Sequence, residues 1–395
     1  MKIILFVVVG FVFLYSNDFN TNNKIKVEYN YFNNNNDSKI NYAKTLSFTN
    51  KIKYKTDNIL FITNLYLQKD FKDSKRTFIS LNEAYLKYKF NNSFIILGKE
   101  VKHWGILEEY NIVNIFNINS NLIDPFETNK IGNINLTYKY FFENDDSVEF
   151  ITKIDEVKDK YPSKNNPYYP FVNFNYNNNF DTQKNKNRPT IFIKYNGYLE
   201  NIDYSLVYMN GYDNQRDLKF ISVDIINQYL YLVNKYMGYA TYQNNNILYK
   251  IETSYTEVKD YNSISDYLQF GIGTEYTKKI NDFNLVYIAE YYKYKQLNDN
   301  KKSINDLNIV FQNDLLLALK LEFNNQNSSS LTLSLLNDLD DKKEKVIKTT
   351  FKQRLFSDYK IEFSYLKITP SNKNNTYFKN IGKQDNIQFK IEYNF

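Results

Sequence analysis

The chain reads as an all-β protein: one closed antiparallel barrel that crosses a membrane on about 18 strands, within a range of roughly 16 to 20. Three observations carry this. In the last nine residues Ile387, Phe389, Ile391, Tyr393 and Phe395 alternate with polar Gln388, Lys390, Glu392 and Asn394. Successive side chains of a strand point to opposite faces, so this is an amphipathic strand that ends on an aromatic residue. The same alternation recurs along most of the chain. Finally, mean hydropathy is −0.58 and no apolar run reaches the ~18 residues of a helical span, whereas a strand in lipid needs an apolar residue only at every second position.

Residues 1–17 form a separate object. Lys2 gives a positive start, residues 3–14 are apolar apart from Gly10, and Ser16 is a small residue suited to cleavage. This is the layout of a secretory leader, with cleavage expected between Ser16 and Asp18 and the barrel occupying 18–395.

Candidate strands then follow at regular spacing, separated by clusters of Asn, Asp, Lys and Ser, which favour turns. Residues 24–32, 42–54, 59–67, 78–90 and 94–101 open the series. Residues 131–142 alternate cleanly, with Ile134, Leu136, Tyr138 and Tyr140 against Asn135, Thr137 and Lys139, and 148–154 return across an acidic turn. Residues 190–199 and 202–209 pair around Glu200-Asn201. Stretches 236–242, 247–258, 267–277, 283–294, 307–311, 315–323, 331–336, 346–355 and 359–368 lead to the closing strand. Gly271 and Gly273 fall on the polar face of 267–277, where a missing side chain leaves lumen space or admits another segment. Connections alternate between short (244–246, 324–329) and long (155–188, 210–222, 370–384). In such barrels short turns face the periplasm and long loops the exterior. The stretch 161–187, rich in Asn with Pro162, Pro167 and Pro170, is expected to be a partly mobile loop.

Charge and composition narrow the function. The net charge of +6 comes from 50 basic and 44 acidic residues interleaved along the strands, which argues against nucleic acid as a partner. With no Cys there is neither a disulfide nor a thiolate metal site. No cofactor is implied. Asp338, Asp340 and Asp341 read as a solvated acidic turn, with surface cation binding as the alternative. A Ser–His–acid hydrolytic site would have to use His103, the single histidine, and no Ser lies near it in sequence. The chain is therefore expected not to be an enzyme.

One segment breaks the alternation. Between Gly98 and Gly132 about 30 residues lack a strand pattern and hold both His103 and Trp104, the only Trp. The order strand, Gly98-Lys99, Trp104-Gly105, then Asn114, Phe116, Asn117, and Asp124-Pro125 resembles porin-type outer-membrane proteins related to the alginate-export channels and similar barrels. Arg188-Pro189, 209–212 and the 238–252 hairpin fit the same layout more loosely. The closing strand with its terminal Phe395 likewise resembles that of bacterial outer-membrane barrels, where the final Phe belongs to an assembly signal. In that family the matching segment packs inside the barrel or at its rim and helps set the bore. The resemblance thus makes Lys99, Lys102, His103, Trp104, Glu108, Glu109, Asp124 and Lys130 candidates for a constriction, the alternative being that Trp104 and Phe116 simply wedge a structural loop. The chain departs from the family in having Lys99 where Arg is common and in its four Arg in all, so anion selection by an arginine ladder is not expected.

The expected function is a porin-like channel in the bacterial outer membrane, passing small hydrophilic solutes by diffusion. The alternatives are a substrate-selective channel, for a sugar, a polysaccharide or a hydrophobic compound, and a non-conducting structural or adhesive barrel. Expected partners are outer-membrane lipid and lipopolysaccharide, and the barrel-assembly machinery through the strand ending at Phe395. Homo-oligomerisation is left open.

Overall fold

The computed structural model describes residues 19–34, 39–123, 129–171, 174–298, 309–341, 343–370 and 377–395. The expected leader lies outside them. In chain order the strands are β1 (Phe19–Asn34), β2 (Tyr42–Lys55), β3 (Ile59–Asp70), β4 (Phe78–Phe90), β5 (Ser93–Glu100), β6 (Asn133–Phe141), β7 (Ser147–Lys153), β8 (Asn175–Thr182), β9 (Thr190–Leu199), β10 (Ile202–Tyr212), β11 (Asp217–Phe220) and β12 (Ile225–Leu230). There follow β13 (Leu232–Asn244), β14 (Ile247–Lys259), β15 (Tyr267–Ile280), β16 (Phe283–Gln296), β17 (Asn313–Glu322), β18 (Ser330–Asp338), β19 (Lys345–Leu355), β20 (Tyr359–Thr369), a single-turn helix α1 (Tyr377–Ile381) and β21 (Gln384–Asn394).

Eighteen of these strands form one antiparallel sheet, each pairing with the next, except that β7 pairs with β9 and β10 with β13. Pairing of β1 with β21 closes the ring. Closure is what lipid demands, because an open edge would leave backbone groups without partners. The omitted strands β8, β11 and β12 make a small separate sheet from the long loops. It was not legible beforehand, because these strands are short and half of β8 is Asn.

The seam shows how the alternation is used. Ile25, Val27, Tyr29 and Tyr31 face outward and pair with Tyr393, Ile391, Phe389 and Ile387, all turned to the outside. Lys26, Glu28 and Asn30 face inward opposite Glu392, Lys390 and Gln388. Ion pairs Lys24–Glu392 (3.1 Å), Lys26–Glu28 (3.3 Å) and Lys390–Glu362 (3.0 Å) line the inner side of the seam. The terminal residue is held too, since Phe395 and Asn23 exchange two backbone hydrogen bonds at 2.9 Å.

Connections at the end of the barrel that carries the first and last strand termini run two to seven residues, and those at the other end six or more. Asn91, Glu200, Asn245 and Asn281 take positive φ at the hairpin tips. Asn tolerates this conformation better than most side chains, so a chain with only 10 Gly still makes tight turns. Outward aromatic pairs Phe90–Tyr138, Tyr242–Tyr249, Tyr276–Tyr287 and Tyr359–Tyr393 sit beside these turns, as in an interfacial girdle.

Three expectations are corrected. Residues 309–311 are irregular rather than a strand, with 307–308 outside the described residues; the strand begins at Asn313. The 161–187 stretch does not hang free at its start, for Asn166, Tyr168, Tyr169 and Phe171 are buried. Asp338 is buried rather than solvated, accepting from the backbone N–H groups of Asp340 (2.6 Å) and Asp341 (2.9 Å). Among the described residues no group of His and acidic side chains is arranged to hold a metal.

A segment clipped across the lumen

The chain leaves β5 at Glu100 and re-enters the wall at Asn133 in β6. Asn117, fully buried, ties the two limbs together. Its side-chain N–H groups donate to the carbonyls of Glu100 (3.1 Å) and Ile131 (3.0 Å), and its oxygen accepts from the Lys102 N–H (2.8 Å). Lys130 donates from Nζ to the carbonyls of Asn114 (2.8 Å) and Asn117 (2.7 Å). Asn114 in turn accepts from the Trp104 N–H at 3.2 Å. Arg76, between β3 and β4, donates to the carbonyls of Leu122 (3.0 Å) and Ile123 (3.1 Å) and faces Asp70 at 3.4 Å.

Beyond this base the segment crosses the barrel. Glu252 of β14, six strands round the ring from β5, accepts from the N–H groups of Ile106 (2.6 Å), Leu107 (3.1 Å) and Val113 (3.2 Å). Glu290 of β16 accepts from those of Glu108 (2.8 Å) and Glu109 (3.4 Å), and the Tyr292 hydroxyl from that of Tyr110 (3.3 Å). The close approach explains the glycines on the polar face of β15. A Cβ on Gly271 would stand 2.6 Å from the Leu107 side chain, and one on Gly273 3.0 Å from it. Gly105 has φ +94°, and a Cβ there would collide with the Asn111 side chain and stand 2.6 Å from the Glu252 carboxylate.

Trp104 is buried, its ring 5.7 Å from Phe116 and 5.5 Å from Phe192 of β9, with Lys194 above it at 5.5 Å. Lys102 is also buried and pairs with Glu100 at 2.9 Å. Glu108 is half exposed and receives the Lys250 ammonium at 2.6 Å, which also reaches Glu275 at 3.1 Å. Glu109 and His103 are exposed to the lumen. The surrounding wall lowers the pKa of His103, Lys130 adding to the effect and Glu83 opposing it. Lys130 is withdrawn from water, which brings its pKa down to about 8. Lys99 is a correction: it shares the outward face of β5 with Ile95 and Leu97 and lies opposite Ile134, so it does not reach the bore. Asp124 lies outside the described residues.

Sequence reasoning missed Glu252, Glu290 and Tyr292, the far-side clips. Their strand partners are the two glycines themselves, Glu252 and Tyr292 facing Gly271 from either side and Glu290 facing Gly273. Two glycines on one polar face were the available signal.

Above the segment, the loop after β7 crosses the long-loop end. Asp73 accepts from the Ser163 N–H (2.9 Å) and the Asn166 amide (3.1 Å), while Gln384 donates to the Pro167 carbonyl (2.9 Å). Between this loop, the segment and the wall lies a chamber of about 310 Å³.

Fold and site together define a membrane-spanning β-barrel with a polar interior narrowed by an internal segment. No protein-family model matches the chain, and no curated protein matches it in sequence. Among solved structures it is similar to OccK3 (OpdO) of Pseudomonas aeruginosa, with a TM-score of 0.59 and 8% identity over 96% of each chain. It is likewise similar to the outer membrane protein OprD of that organism, at 0.56 and 9% over 96% of this chain and 94% of that one. A third is Wzi of Escherichia coli, an outer membrane protein involved in group 1 capsule assembly and described as a carbohydrate-binding β-barrel, at 0.56 and 8% over 99% and 87%. At these identities the likeness is one of fold: that of an outer-membrane β-barrel.

Proposed function

We propose that the protein is a porin-like channel of the bacterial outer membrane, through which small hydrophilic solutes diffuse past a constriction built by residues 101–132. The observation that carries this is the segment clipped across an eighteen-stranded, polar-lined barrel by Glu252 and Glu290. His103, Glu108 and Glu109 are its solvent-reached polar groups, while Lys102, Trp104 and Lys130 hold its shape. The Gly98–Pro125 motif supports closer kinship with the alginate-export-like barrels, residues 1–17 a secretory leader, and the terminal Phe395 delivery by the barrel-assembly machinery. The sequence around the single imidazole supports a non-enzymatic role, since no Ser lies near His103 in the chain. Replacing His103 with Ala should abolish no hydrolytic activity.

Single-channel recording of the refolded mature chain in planar bilayers tests the reading. Steady stepwise openings are expected, and deleting 104–124 should enlarge the steps. A correctly folded barrel that stays silent, with and without the deletion, would overturn it.

A further inference from the structure

The interior breaks its own rule in one sector. Leu316 of β17, Leu336 of β18, Val346 of β19 and Leu366 of β20 occupy inward positions, as the cross-strand pairs Leu316–Leu336 and Leu336–Val346 show. The strands that carry them are therefore apolar on both faces here: Leu315, Leu316 and Leu317 are consecutive. Lipid explains the outer face but not the inner one. Part of the inner patch is covered by Leu107 and by Phe378 and Ile381 of α1. The rest bounds the 310 Å³ chamber, which lies on the long-loop side of the crossing segment, where a solute from that side arrives before the constriction.

The opposite wall of the chamber is polar but electrically satisfied. Lys235 pairs with Asp213 at 2.7 Å, and Arg216 with Glu156 at 3.4 Å and Asp159 at 3.8 Å. Lys348 and Glu109 are also engaged by neighbours. An ionic ligand would have to displace one of these partners inside a largely desolvated site, which is costly. Neutral hydrogen-bonding groups are plentiful: the Gln269 amide donating to the Tyr110 hydroxyl at 3.3 Å, with Asn119, Asn214 and Ser334 on the chamber wall. Tyr110 also stacks on Phe311, 4.8 Å between ring centres and 19° between planes, presenting an aromatic edge to the space. An apolar cavity of about 150 Å³ takes one benzene ring, so this chamber holds a ring with substituents.

We infer that the chamber is a binding station for small uncharged aromatic compounds bearing hydroxyl groups, the aromatic ring against Leu336 and Val346 and the hydroxyls toward the amides. This rests on the channel reading and names a solute class for it. The test uses the full barrel in lipid nanodiscs and equilibrium dialysis of 4-hydroxybenzyl alcohol at pH 7, with empty nanodiscs as the blank. Saturable uptake by the barrel is expected, with 4-hydroxybenzoate and methyl glucoside competing at least tenfold more weakly. Leu336→Gln should weaken uptake about tenfold. Val346→Thr, which sets a hydroxyl on the chamber wall in place of a methyl, should weaken it severalfold in barrel whose folding is verified by heat-modifiable mobility on gels. No uptake above the blank, stronger competition by the anion or the glucoside, or unchanged uptake by folded Val346→Thr would overturn the inference. Dialysis does not depend on conduction: binding by a silent barrel would sink only the channel reading, and conduction without binding only this one.

Discussion

Asn117 shows why the residues of the segment are of the types they are. Two limbs of chain meet inside a barrel without pairing as strands, so their backbone groups need other partners, and one buried amide supplies a donor to each limb and an acceptor to Lys102. Lys130 does the same with an ammonium. Its pKa stands at about 8 instead of 10.5 because burial disfavours the charged form. Between those two values the folded segment binds fewer protons than an unfolded one, so it gains stability as pH rises through that window; below it both states are protonated and the dependence vanishes. Carbon-13 labelling of lysine Cε, with Lys130→Met to assign the signal, should find one lysine titrating near pH 8. If Lys130 titrated with the bulk lysines, the two-carbonyl setting would be wrong. Trp104 supplies the apolar side of the same design. Trp104→Ala empties a fully packed site between Phe116 and Phe192 and should cost about 3–5 kcal/mol, read from urea unfolding of the lipid-embedded barrel.

At the scale of the element, the segment is held at two ends by different chemistry. The near end is tied by amides and Arg76, and the far end by two carboxylates that accept only backbone N–H groups from it. Glu252→Ala leaves the donors of Ile106, Leu107 and Val113 without their acceptor, each unmet buried donor costing about 1–3 kcal/mol. The expected outcome is a refolded barrel with noisier and larger conductance steps, as the segment lifts from the wall; steps identical to wild type would mean the carboxylate does not hold the bore. How much of this was legible follows from the same contrast. The near end is local in sequence, and its Gly, Trp and Asn residues stand out against a strand pattern. The barrel strands were legible for a similar reason, since period-two alternation needs no knowledge of partners. The far end was not legible, because Glu252 and Glu290 look like any other carboxylate on a polar face until the segment is placed against them. Lys99 misled because position within a motif does not reveal which face of β5 it occupies. The inward apolar patch of β17–β20 escaped notice because an apolar residue on a polar face reads as noise in alternation until a covering element is seen.

The whole molecule distributes its charge unevenly along the bore. Toward the short-turn end the inward positions carry Lys51, Lys53 and Lys55 of β2, Lys87 and Lys89 of β4, and Lys352 and Arg354 of β19, against Glu83 and Glu362 nearby. Toward the long-loop end inward carboxylates gather, Asp70, Glu252, Glu290, Asp314 and Asp338, beside the buried cations Lys153 and Lys235. The acidic groups there are largely buried and spent on backbone donors, as Glu252, Glu290 and Asp338 are, whereas Lys53, Lys89, Lys352 and Arg354 are exposed to the lumen. Charges that solvent reaches govern which ions concentrate in a low-dielectric tunnel, and along the short-turn half of the bore those are mainly basic, against Glu108 and Glu109 on the crossing segment. The scarcity of arginine that weighed against anion selection is therefore offset by lysine, acting as point charges rather than as a bidentate ladder. Under a tenfold KCl gradient the reversal potential should report a preference for chloride. That preference should shrink as ionic strength rises, because the Debye length falls from about 10 Å at 0.1 M to about 3 Å at 1 M. Replacing Lys53, Lys89 and Arg354 together by Glu should reverse its sign while leaving the girdle, seam and segment untouched. A cation preference in the wild-type barrel would mean that the buried carboxylates of the outer half, rather than the exposed lysines of the inner half, set the field that a passing ion meets.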